Sequence, residues 1–261
     1  MRRFDSLVHA TPDGRWMSGR HDAGFRRLND ELDRAKISRA CLVGLAGVVD
    51  HDYLMECARS APGRFVPVAG VDPGRYADVD GSDATVDAVA RAGFRALKLH
   101  PRLNGYDPLD PRCIATIREA ARRGLVVFLD TLFRQRGRPT AHAADVVDRL
   151  ANACPDVRMV LLHSGGAALM EVAEVARLHP GLMLDLSFTL LRYAGTSLDS
   201  DIRWTMRNLD QRVVIGSDMP EYTPADAFSR AEQLAEGLPV EKWTNIAHLN
   251  LDRLFPEPSA G

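Results

Sequence analysis

Five ionisable residues stand at the ends of short apolar runs that are spread along the whole sequence. They are His9, His100, Asp130, His163 and Asp218. Imidazole and carboxylate groups transfer protons in many enzymes, and both also bind divalent metals. One such residue more often caps a helix or bonds a loop than catalyses a reaction. Five at equivalent positions are hard to explain by capping, since each buried charge needs a partner, and the pattern therefore predicts one shared site.

Further polar residues lie near these positions at a spacing of two. Lys98, His100 and Arg102 share one face of a strand by this rule, which places Lys98 one layer deeper than His100. Asp185 and Ser187 share a face near the end of another run. We therefore expect cationic and anionic groups together around a single bound molecule.

Eight short apolar runs are predicted to be the strands that position these residues. Several are apolar on both faces, which is typical of parallel strands covered by helices. The runs are 3–9, 38–45, 65–71, 94–100, 125–131, 158–163, 182–188 and 212–218.

Longer amphipathic segments between the runs are predicted to be helices. Asp110-Pro111 and Thr223-Pro224 each combine a capping side chain with a proline at the first helical position, so each pair predicts a helix start. Other helices are predicted near 22–35, 51–60, 83–92, 141–153, 168–178, 199–208 and 241–254.

The alternation of eight strands with helices in 261 residues favours a single-domain (β/α)8 barrel of the TIM type. An open doubly wound sheet would carry a glycine-rich turn after its first strand, and ATPDGRW at 10–16 does not match GxGxxG. In a barrel the carboxyl ends of all strands surround one cup, so the five ionisable residues are predicted to meet there. Residues 256–261 are expected to form a flexible tail.

Composition excludes several other classes of protein. The 33 basic and 35 acidic residues give a net charge of −2, which favours neither nucleic acid nor an anionic membrane as a partner. No apolar stretch approaches the roughly 20 residues of a membrane span, and the start MRRFDSLVH has no signal-peptide core. Four scattered cysteines without a CxxC pair indicate reduced thiols. We expect a cytoplasmic protein with a small-molecule ligand; a homo-oligomer is compatible with the sequence.

Six segments resemble the amidohydrolase superfamily, in particular its amidohydrolase-2 branch of decarboxylases and lactonases. The segments are FDSLVHATPDGRW (4–16), ALKLHPR (96–102), VVFLDT (126–131), VLLHSGG (160–166), MLDLSF (183–188) and VVIGSDMPEYTP (213–224). The combination of FDSLVH, VLLHSGG and IGSDMPE is the most specific part. The resemblance covers the chain from the first predicted strand to the last, and it implies a distorted (β/α)8 barrel.

The resemblance also implies a metal site, but with altered ligands. Family members typically hold a divalent metal with an HxH pair on the first strand, a histidine on the fifth and an aspartate on the eighth, while a sixth-strand histidine acts as acid or base. His9 matches the second histidine of the pair, His163 the sixth-strand histidine and Asp218 the aspartate. Leu7 replaces the first histidine and Asp130 the fifth-strand histidine. His9, Asp130 and Asp218 remain as ligand candidates.

These residues leave two alternatives open, a site with Zn²⁺ or Mn²⁺ and a site without metal. Three nitrogen or oxygen ligands plus water suffice for catalytic zinc, and carboxylates favour manganese. Against a metal, Leu7 cannot bind one, and the family includes metal-independent members that hydrolyse activated lactones with aspartate and histidine alone.

The two alternatives share Asp218 as the group that activates water. Without metal, Asp218 is the general base, His9 and His163 position the water or polarise a carbonyl, and Asp130 holds one histidine in a useful tautomer. We expect burial to raise the pKa of Asp218 and so strengthen it as a base. With metal, Asp218 ligates the ion and takes a proton from the bound water.

Arginines in the loops after the predicted strands indicate an anionic small-molecule substrate. Arg102 and Arg134 are the preferred anion ligands. The complete set of predicted substrate contacts is His100, Arg102, Arg134, Lys98, Ser187, Tyr193 and Trp16.

Three functions are compatible with these residues. The first is a hydrolase of a lactone-, ester- or amide-like bond, and the second is a decarboxylase or hydratase of an unsaturated acid. The third is a catalytically inactive barrel that serves as a binding protein. Leu7 favours the third, whereas the retained His9, His163 and Asp218 oppose it.

Overall fold

The computed structural model describes residues 2–17, 19–135, 138–139 and 142–257; at 134–135 and 138–139 it describes the backbone alone. Ten strands form in these residues. Eight of them make one parallel sheet in the order β1-β2-β3-β4-β5-β8-β9-β10, and β6 and β7 make a small antiparallel pair. The strands are β1 Phe4–Val8, β2 Arg39–Val43, β3 Phe65–Val71, β4 Ala96–Leu99, β5 Val126–Asp130, β6 Arg134–Gln135, β7 Arg138–Pro139, β8 Met159–Leu162, β9 Leu182–Asp185 and β10 Val213–Val214.

Backbone hydrogen bonds between β1 and the segment after β10 close this sheet into a barrel. The N–H of Asp218 donates to the carbonyl of Leu7 over 2.9 Å, and the N–H of His9 donates to the carbonyl of Met219 over 2.8 Å. The single-domain (β/α)8 barrel predicted from the sequence is therefore confirmed. Residues 258–261 of the predicted tail lie outside the described residues.

Helices connect successive barrel strands and cover the outside of the sheet. Within the described ranges, no helix is long and apolar enough to cross a membrane. The helices are α1 Phe25–Arg34, α2 His51–Ser60, α3 Gly81–Arg91, α4 Pro101–Asn104, α5 Pro111–Arg122, α6 Ala143–Ala153, α7 Leu169–Leu178, α8 Thr189–Arg192, α9 Leu198–Asn208, α10 Pro224–Leu234, α11 Val240–Thr244 and α12 Asn250–Leu254.

Both predicted helix starts lie where the sequence places them. The Asp110 side chain accepts a hydrogen bond from the N–H of Arg112 (2.9 Å) at the start of α5. The Thr223 hydroxyl does the same for the N–H of Asp226 (3.1 Å) at the start of α10. These caps satisfy backbone donors that have no partner inside the helix.

The barrel interior is filled by a cluster of apolar side chains that lies below the strand ends. Leu251 and Phe255, from the C-terminal end of the chain, close the bottom of the barrel. The ring of Phe255 lies 6.2 Å from that of Phe128. The cluster consists of Phe4, Leu7, Cys41, Val43, Val66, Val68, Ala96, Val126, Phe128, Val160, Leu162, Val214, Leu251 and Phe255. A filled interior holds the strand ends rigidly, so the side chains above it have fixed relative positions.

The pairing of β1 with β2 is irregular at Asp5, and the Asp5 side chain joins β1 to the segment after β10. The register against β2 shifts between Asp5 and Val8. Oδ1 of Asp5 accepts hydrogen bonds from the N–H groups of Leu7 (3.0 Å) and Ser217 (2.9 Å). Its Oδ2 is buried with no hydrogen-bond partner among the described residues, and burial raises the pKa of Asp5 to about 7.

Replacement of Asp5 by asparagine is expected to stabilise the fold in basic buffer. The folded protein holds the Asp5 proton up to a pKa of about 7, whereas the unfolded chain releases it near 3.8, so ionisation lowers the free energy of unfolding between these values. The loss is about 1.4 kcal/mol per pH unit. Asparagine carries no charge, and its oxygen still accepts both N–H groups. Urea unfolding across pH measures the effect.

The control for this prediction is Asp156→Asn, which removes a carboxylate from an exposed position. It is expected to leave the pH dependence of unfolding unchanged. If Asp5→Asn and the wild-type protein lose stability in parallel as pH rises, Asp5 does not hold its proton in the folded state.

Candidate active site

A cavity of about 220 Å³ lies at the carboxyl ends of the barrel strands. The five ionisable residues at the ends of the predicted strands all contribute to its wall. The lining residues are His9, Trp16, Met17, Leu45, Lys98, His100, Arg102, Asp130, Leu132, His163, Phe188, Asp218 and Glu221. The barrel therefore gathers imidazole, carboxylate, ammonium and guanidinium groups around one small space.

Asp130 is the central anion of this cavity. Its Oδ2 lies 3.4 Å from Nε2 of His100 and 3.4 Å from Nε2 of His163. Nη2 of Arg102 lies 3.3 Å from the same oxygen. Burial alone raises the pKa of Asp130, but these three neighbours outweigh burial and hold the pKa well below its ordinary value. Asp130 is therefore ionised at neutral pH.

His100 is a neutral partner of this anion. Its Nδ1 accepts a hydrogen bond from the N–H of Leu103 (3.4 Å), so its hydrogen is on Nε2 and points toward Asp130. Burial lowers the pKa of His100 to about 3, despite the attraction of Asp130. This imidazole thus donates to Asp130 without contributing a charge.

His163 is the cationic partner. Its Nδ1 lies 3.2 Å from the carbonyl oxygen of Ser187, which can only accept, so Nδ1 carries a hydrogen. Burial lowers the pKa of His163, but the interactions with Asp130 and Asp218 outweigh it and raise the pKa above its ordinary value. The raised pKa favours the imidazolium, whose second N–H faces Asp130, so His163 is suited to act as a proton donor.

Asp185 holds His163 in place from below the cavity. Its Oδ1 accepts hydrogen bonds from the backbone N–H groups of His163 and Ser187, each over 3.1 Å, and from the Ser187 hydroxyl. Ser6 donates its hydroxyl to the other carboxylate oxygen. Ser187 is fully buried, and its hydroxyl lies 3.1 Å from Nδ1 of His163, so its contact with a substrate stays a prediction. It supports the histidine, because the chain leaves β9 after Asp185 and folds back.

His9 and Asp218 form a second pair on another part of the wall. Nδ1 of His9 donates to the carbonyl of Val43 over 2.6 Å, which leaves the lone pair on Nε2 when the ring is neutral. Burial and Lys98 lower the pKa of His9, so the neutral form prevails. Nε2 lies 3.5 Å from Oδ1 of Asp218, and Trp16 stacks on the His9 ring with centroids 5.0 Å apart. Two hydrogen-bond acceptors thus face each other.

Asp218 differs in one respect from the sequence prediction. Burial alone would raise its pKa, but its neighbours His9, His163 and Lys98 outweigh burial, and the pKa of Asp218 lies below its ordinary value. The expectation of a raised pKa is therefore wrong. Asp218 is fully ionised at neutral pH and is ready to accept a proton, although it is a weaker base than a raised pKa would give.

Three residues that line the cavity have left-handed backbone conformations. His163, Phe188 and Asp218 have φ angles of 64°, 60° and 58°. Such conformations cost on the order of 1–3 kcal/mol for residues other than glycine and persist where the surroundings enforce them. In each case the chain turns sharply at or just after a strand end. The strain lies at the three positions that bring these side chains to the cavity.

A family model described as amidohydrolase matches residues 15–255, which is most of the chain. The chain belongs to the amidohydrolase-2 family. Membership of this family makes it an enzyme of the amidohydrolase type. No curated protein sequence matches this amidohydrolase.

Solved structures share the barrel of this amidohydrolase at low sequence identity. An uncharacterized TIM-barrel protein from Bordetella bronchiseptica is 18% identical with a TM-score of 0.79, over 97% of this chain and 98% of that one. A probable 2-pyrone-4,6-dicarboxylic acid hydrolase from Acinetobacter baumannii, with citric acid bound, is 16% identical with a TM-score of 0.69 (98% and 99%). A 5-carboxyvanillate decarboxylase from Novosphingobium aromaticivorans, with manganese and a nitrobenzoic acid, is 13% identical with a TM-score of 0.72 (97% and 95%).

Only some of the predicted substrate contacts of this amidohydrolase are seen in the described cavity wall. Tyr193 is not part of that wall, and its hydroxyl lies beside Gly166, so its contact with a substrate stays a prediction. The side chain of Arg134 lies outside the described residues. Lys98, His100, Arg102 and Trp16 do line the cavity.

Five lining residues are ones that sequence reasoning does not single out, namely Met17, Leu45, Leu132, Phe188 and Glu221. Glu221 accepts a hydrogen bond from Nε1 of Trp16 over 2.6 Å and so fixes the ring that stacks on His9. Its place three residues after Asp218 in IGSDMPE is a signal that could have identified it. Phe188 packs edge-on against His163 with centroids 5.6 Å apart, and it ends the segment MLDLSF.

The residues present do not fit the family's divalent metal. Leu7 belongs to the apolar interior cluster, so the first-strand chelate is missing. Asp130 is surrounded by two imidazoles and the guanidinium of Arg102, so its carboxylate already has hydrogen-bonding and cationic partners from the protein. No group of three or more His, Cys, Asp or Glu side chains that could hold a metal ion occurs in the described part of the chain. The chemistry of the site is therefore derived from its side chains.

Proposed function

We propose that this amidohydrolase hydrolyses a lactone-, ester- or amide-like bond of a small anionic substrate, with Asp218 as the general base. The observation that carries the proposal is the pair of facing acceptors, Nε2 of His9 and Oδ1 of Asp218, 3.5 Å apart in the same cavity as the cationic His163. Base and acid are thus present together, with pKa values displaced in opposite directions from their ordinary values.

The first step is activation of water. Two acceptors only 3.5 Å apart leave no room for a water molecule on the line between them, but a water beside the pair can donate one hydrogen to each. Its oxygen lone pairs then point into the cavity toward a substrate carbonyl. As the oxygen attacks the carbonyl carbon, its proton passes to Asp218 and the new C–O bond forms.

The second step is departure of the leaving group. The tetrahedral intermediate collapses, and the bond to the leaving oxygen or nitrogen breaks as that atom takes the proton from Nε2 of His163. Asp130 stabilises the imidazolium before transfer and orients its ring, since both nitrogens are engaged by fixed acceptors. The proton held by Asp218 then returns to solvent or to His163.

The size and charge of the cavity indicate the substrate class. About 220 Å³ is below the roughly 300–1,000 Å³ of pockets for drug-sized ligands, so the substrate is small. Trp16 and Phe188 provide aromatic walls for a flat molecule. Arg102 lies at the mouth, with 40% of its side chain exposed, where its guanidinium can bind a carboxylate.

The proposal is tested with a library of small lactones, esters and amides that carry a carboxylate, assayed for ring opening or acid release with and without a chelator. We expect turnover of at least one member that survives chelation, in protein whose metal content is below stoichiometric. Activity that is lost on chelation and restored by Zn²⁺ or Mn²⁺ would show that metal is required. Release of CO₂ from unsaturated acids without hydrolysis would assign a decarboxylase instead.

Arg102→Met is expected to raise KM about tenfold with little change in kcat. A charge-assisted hydrogen bond is worth about 1.5–3 kcal/mol, and the exposure of Arg102 reduces that value. Because the carboxylate is bound equally in ground and transition states, the loss falls on KM. Steady-state kinetics with the library substrate measures it.

The matched control is Arg192→Met, which removes an exposed arginine from α8 that does not line the described cavity. Its kinetics are expected to equal those of the wild type. Equal KM values for Arg102→Met and wild type would show that Arg102 does not bind the substrate anion.

A further inference from the structure

Lys98 is a buried basic residue that the proposed hydrolysis leaves unused. It is 3% exposed, and its side chain lines the cavity below His100. Within the described residues, Lys98 makes no side-chain hydrogen bond or ion pair. A buried ammonium without a hydrogen-bond partner is costly, so either the amine is neutral or a bound ligand supplies the missing partner.

The choice of lysine at this position is unusual for this sequence. Of the 33 basic residues, only three are lysine, namely Lys36, Lys98 and Lys242, and the rest are arginine. Lys36 is exposed and Lys242 pairs with Asp210 over 3.2 Å, so Lys98 is the one buried lysine. Arginine stays protonated in proteins, whereas a buried lysine can become a neutral nucleophile. Nearly all basic residues of this chain are arginines, whereas the basic residue deep in the cavity is a lysine, Lys98.

The surroundings of Lys98 make its ammonium easier to deprotonate than that of an exposed lysine. Burial lowers the pKa of Lys98, and the attraction of Asp130 and Asp218 does not offset that effect. His163, a proton donor, lines the same cavity, and Arg102 at its mouth can bind a carboxylate. Amine, acid and carboxylate ligand are the three groups needed to bind a 2-oxo acid covalently.

We propose that Lys98 is a covalent binding site for small 2-oxo acids, which it captures as imines. The Nζ lone pair attacks the ketone carbon and forms a C–N bond, while the carbonyl oxygen takes a proton from His163. The nitrogen returns a proton to His163, which gives it to the hydroxyl group. Water then leaves, and the C=N bond forms as an iminium beside the anion of Asp130. Overall, one amine and one ketone give one iminium ion and one water molecule. The positive charge of the iminium ion comes from the proton that His163 gives up.

Reductive trapping tests this proposal on the full chain. The protein is incubated with pyruvate or glyoxylate and sodium cyanoborohydride, which reduces iminium ions, and the adduct is located by intact mass and peptide mapping. We expect one adduct per chain, on Lys98, with labelling at least tenfold above that of Lys36, Lys242 or the N-terminal amine. Capture does not depend on hydrolysis, so the result can be interpreted whether or not the library yields a substrate.

Two variants separate capture from simple charge. Lys98→Arg retains a cation but cannot form an imine, and Lys98→Met removes both, so each is expected to abolish the adduct. Wild-type labelling that is spread evenly over the lysines, or absent with both acids, overturns the proposal. Binding of pyruvate in a titration without any trapped adduct also overturns it, because Lys98 would then serve only as a cation. If a variant fails to fold, peptide mapping of the adduct on wild-type protein still shows whether Lys98 is the residue that is labelled.

Discussion

Asp218→Asn is expected to lower kcat by about 10²–10⁴-fold, the range for loss of a general base, while KM changes little. Asparagine keeps the shape of the side chain, and its amide can donate to Nε2 of His9, but it cannot take the proton of the attacking water. The backbone at position 218 has a φ of 58°, a conformation that asparagine adopts readily, so the fold is expected to be retained. Steady-state kinetics on a library substrate, with circular dichroism to check folding, measures the effect.

The matched control for this variant is Asp226→Asn, which makes the same chemical change on α10 after the same barrel strand. Asp226 is exposed and does not line the described cavity. Its kcat is expected to equal that of the wild type. If Asp218→Asn keeps more than about a tenth of the wild-type kcat, Asp218 is not the base that activates water.

The fold could be predicted from the sequence because apolar runs and capped helices alternate without interruption. The strand ends were less accurate. Runs 158–163, 182–188 and 212–218 were predicted to continue to His163, Phe188 and Asp218, but β8, β9 and β10 end earlier. At these three residues the backbone turns into the left-handed region, while the apolar pattern of the sequence continues. Hydrophobic periodicity reports which residues are buried, and it does not report where the ladder of hydrogen bonds stops.

The sequence predicts the central residues of the site, but it does not predict the contacts that support them. Strand ends meet by the geometry of the barrel, so the positions of His9, Asp130 and Asp218 follow from the fold alone. The contact of Trp16 with Glu221 joins two loops that are 205 residues apart, and no local period predicts it. Ser187 was placed on a regular strand, although the strand ends at Asp185 and the chain folds back under His163.

The pKa of Asp218 illustrates a second limit of the sequence. Burial was expected to dominate because the residue follows a buried strand. In the structure, His9, His163 and Lys98 outweigh burial, and their effect depends on distances that the sequence does not contain. For Asp5, by contrast, the hydrogen bonds from Ser217 and Leu7 do not offset burial, and its pKa rises to about 7. Two buried aspartates on neighbouring strands thus differ in direction because of their neighbours.

Asp130→Asn is expected to lower kcat at neutral pH and to move the basic limb of the pH–rate profile to lower pH. In the wild type, Asp130 helps to raise the pKa of His163 above its ordinary 6.5, which increases the fraction of imidazolium at neutral pH. Without the carboxylate, burial has the larger effect and the pKa falls. The protonated acid then becomes scarce at neutral pH and returns only as the solution is acidified.

The shape of this profile distinguishes an electrostatic role of Asp130 from a purely structural one. A structural role would lower kcat by the same factor at every pH, because a misplaced histidine is misplaced in both protonation states. An electrostatic role changes the population of the acid, so the deficit shrinks as pH falls. Asp130→Glu, which keeps the charge, is expected to retain the wild-type position of the basic limb even where its kcat is lower. NMR titration of the His163 imidazole checks the cause directly, and an unshifted His163 pKa in Asp130→Asn would mean that Asp218 and Asp185 alone hold the proton on this ring.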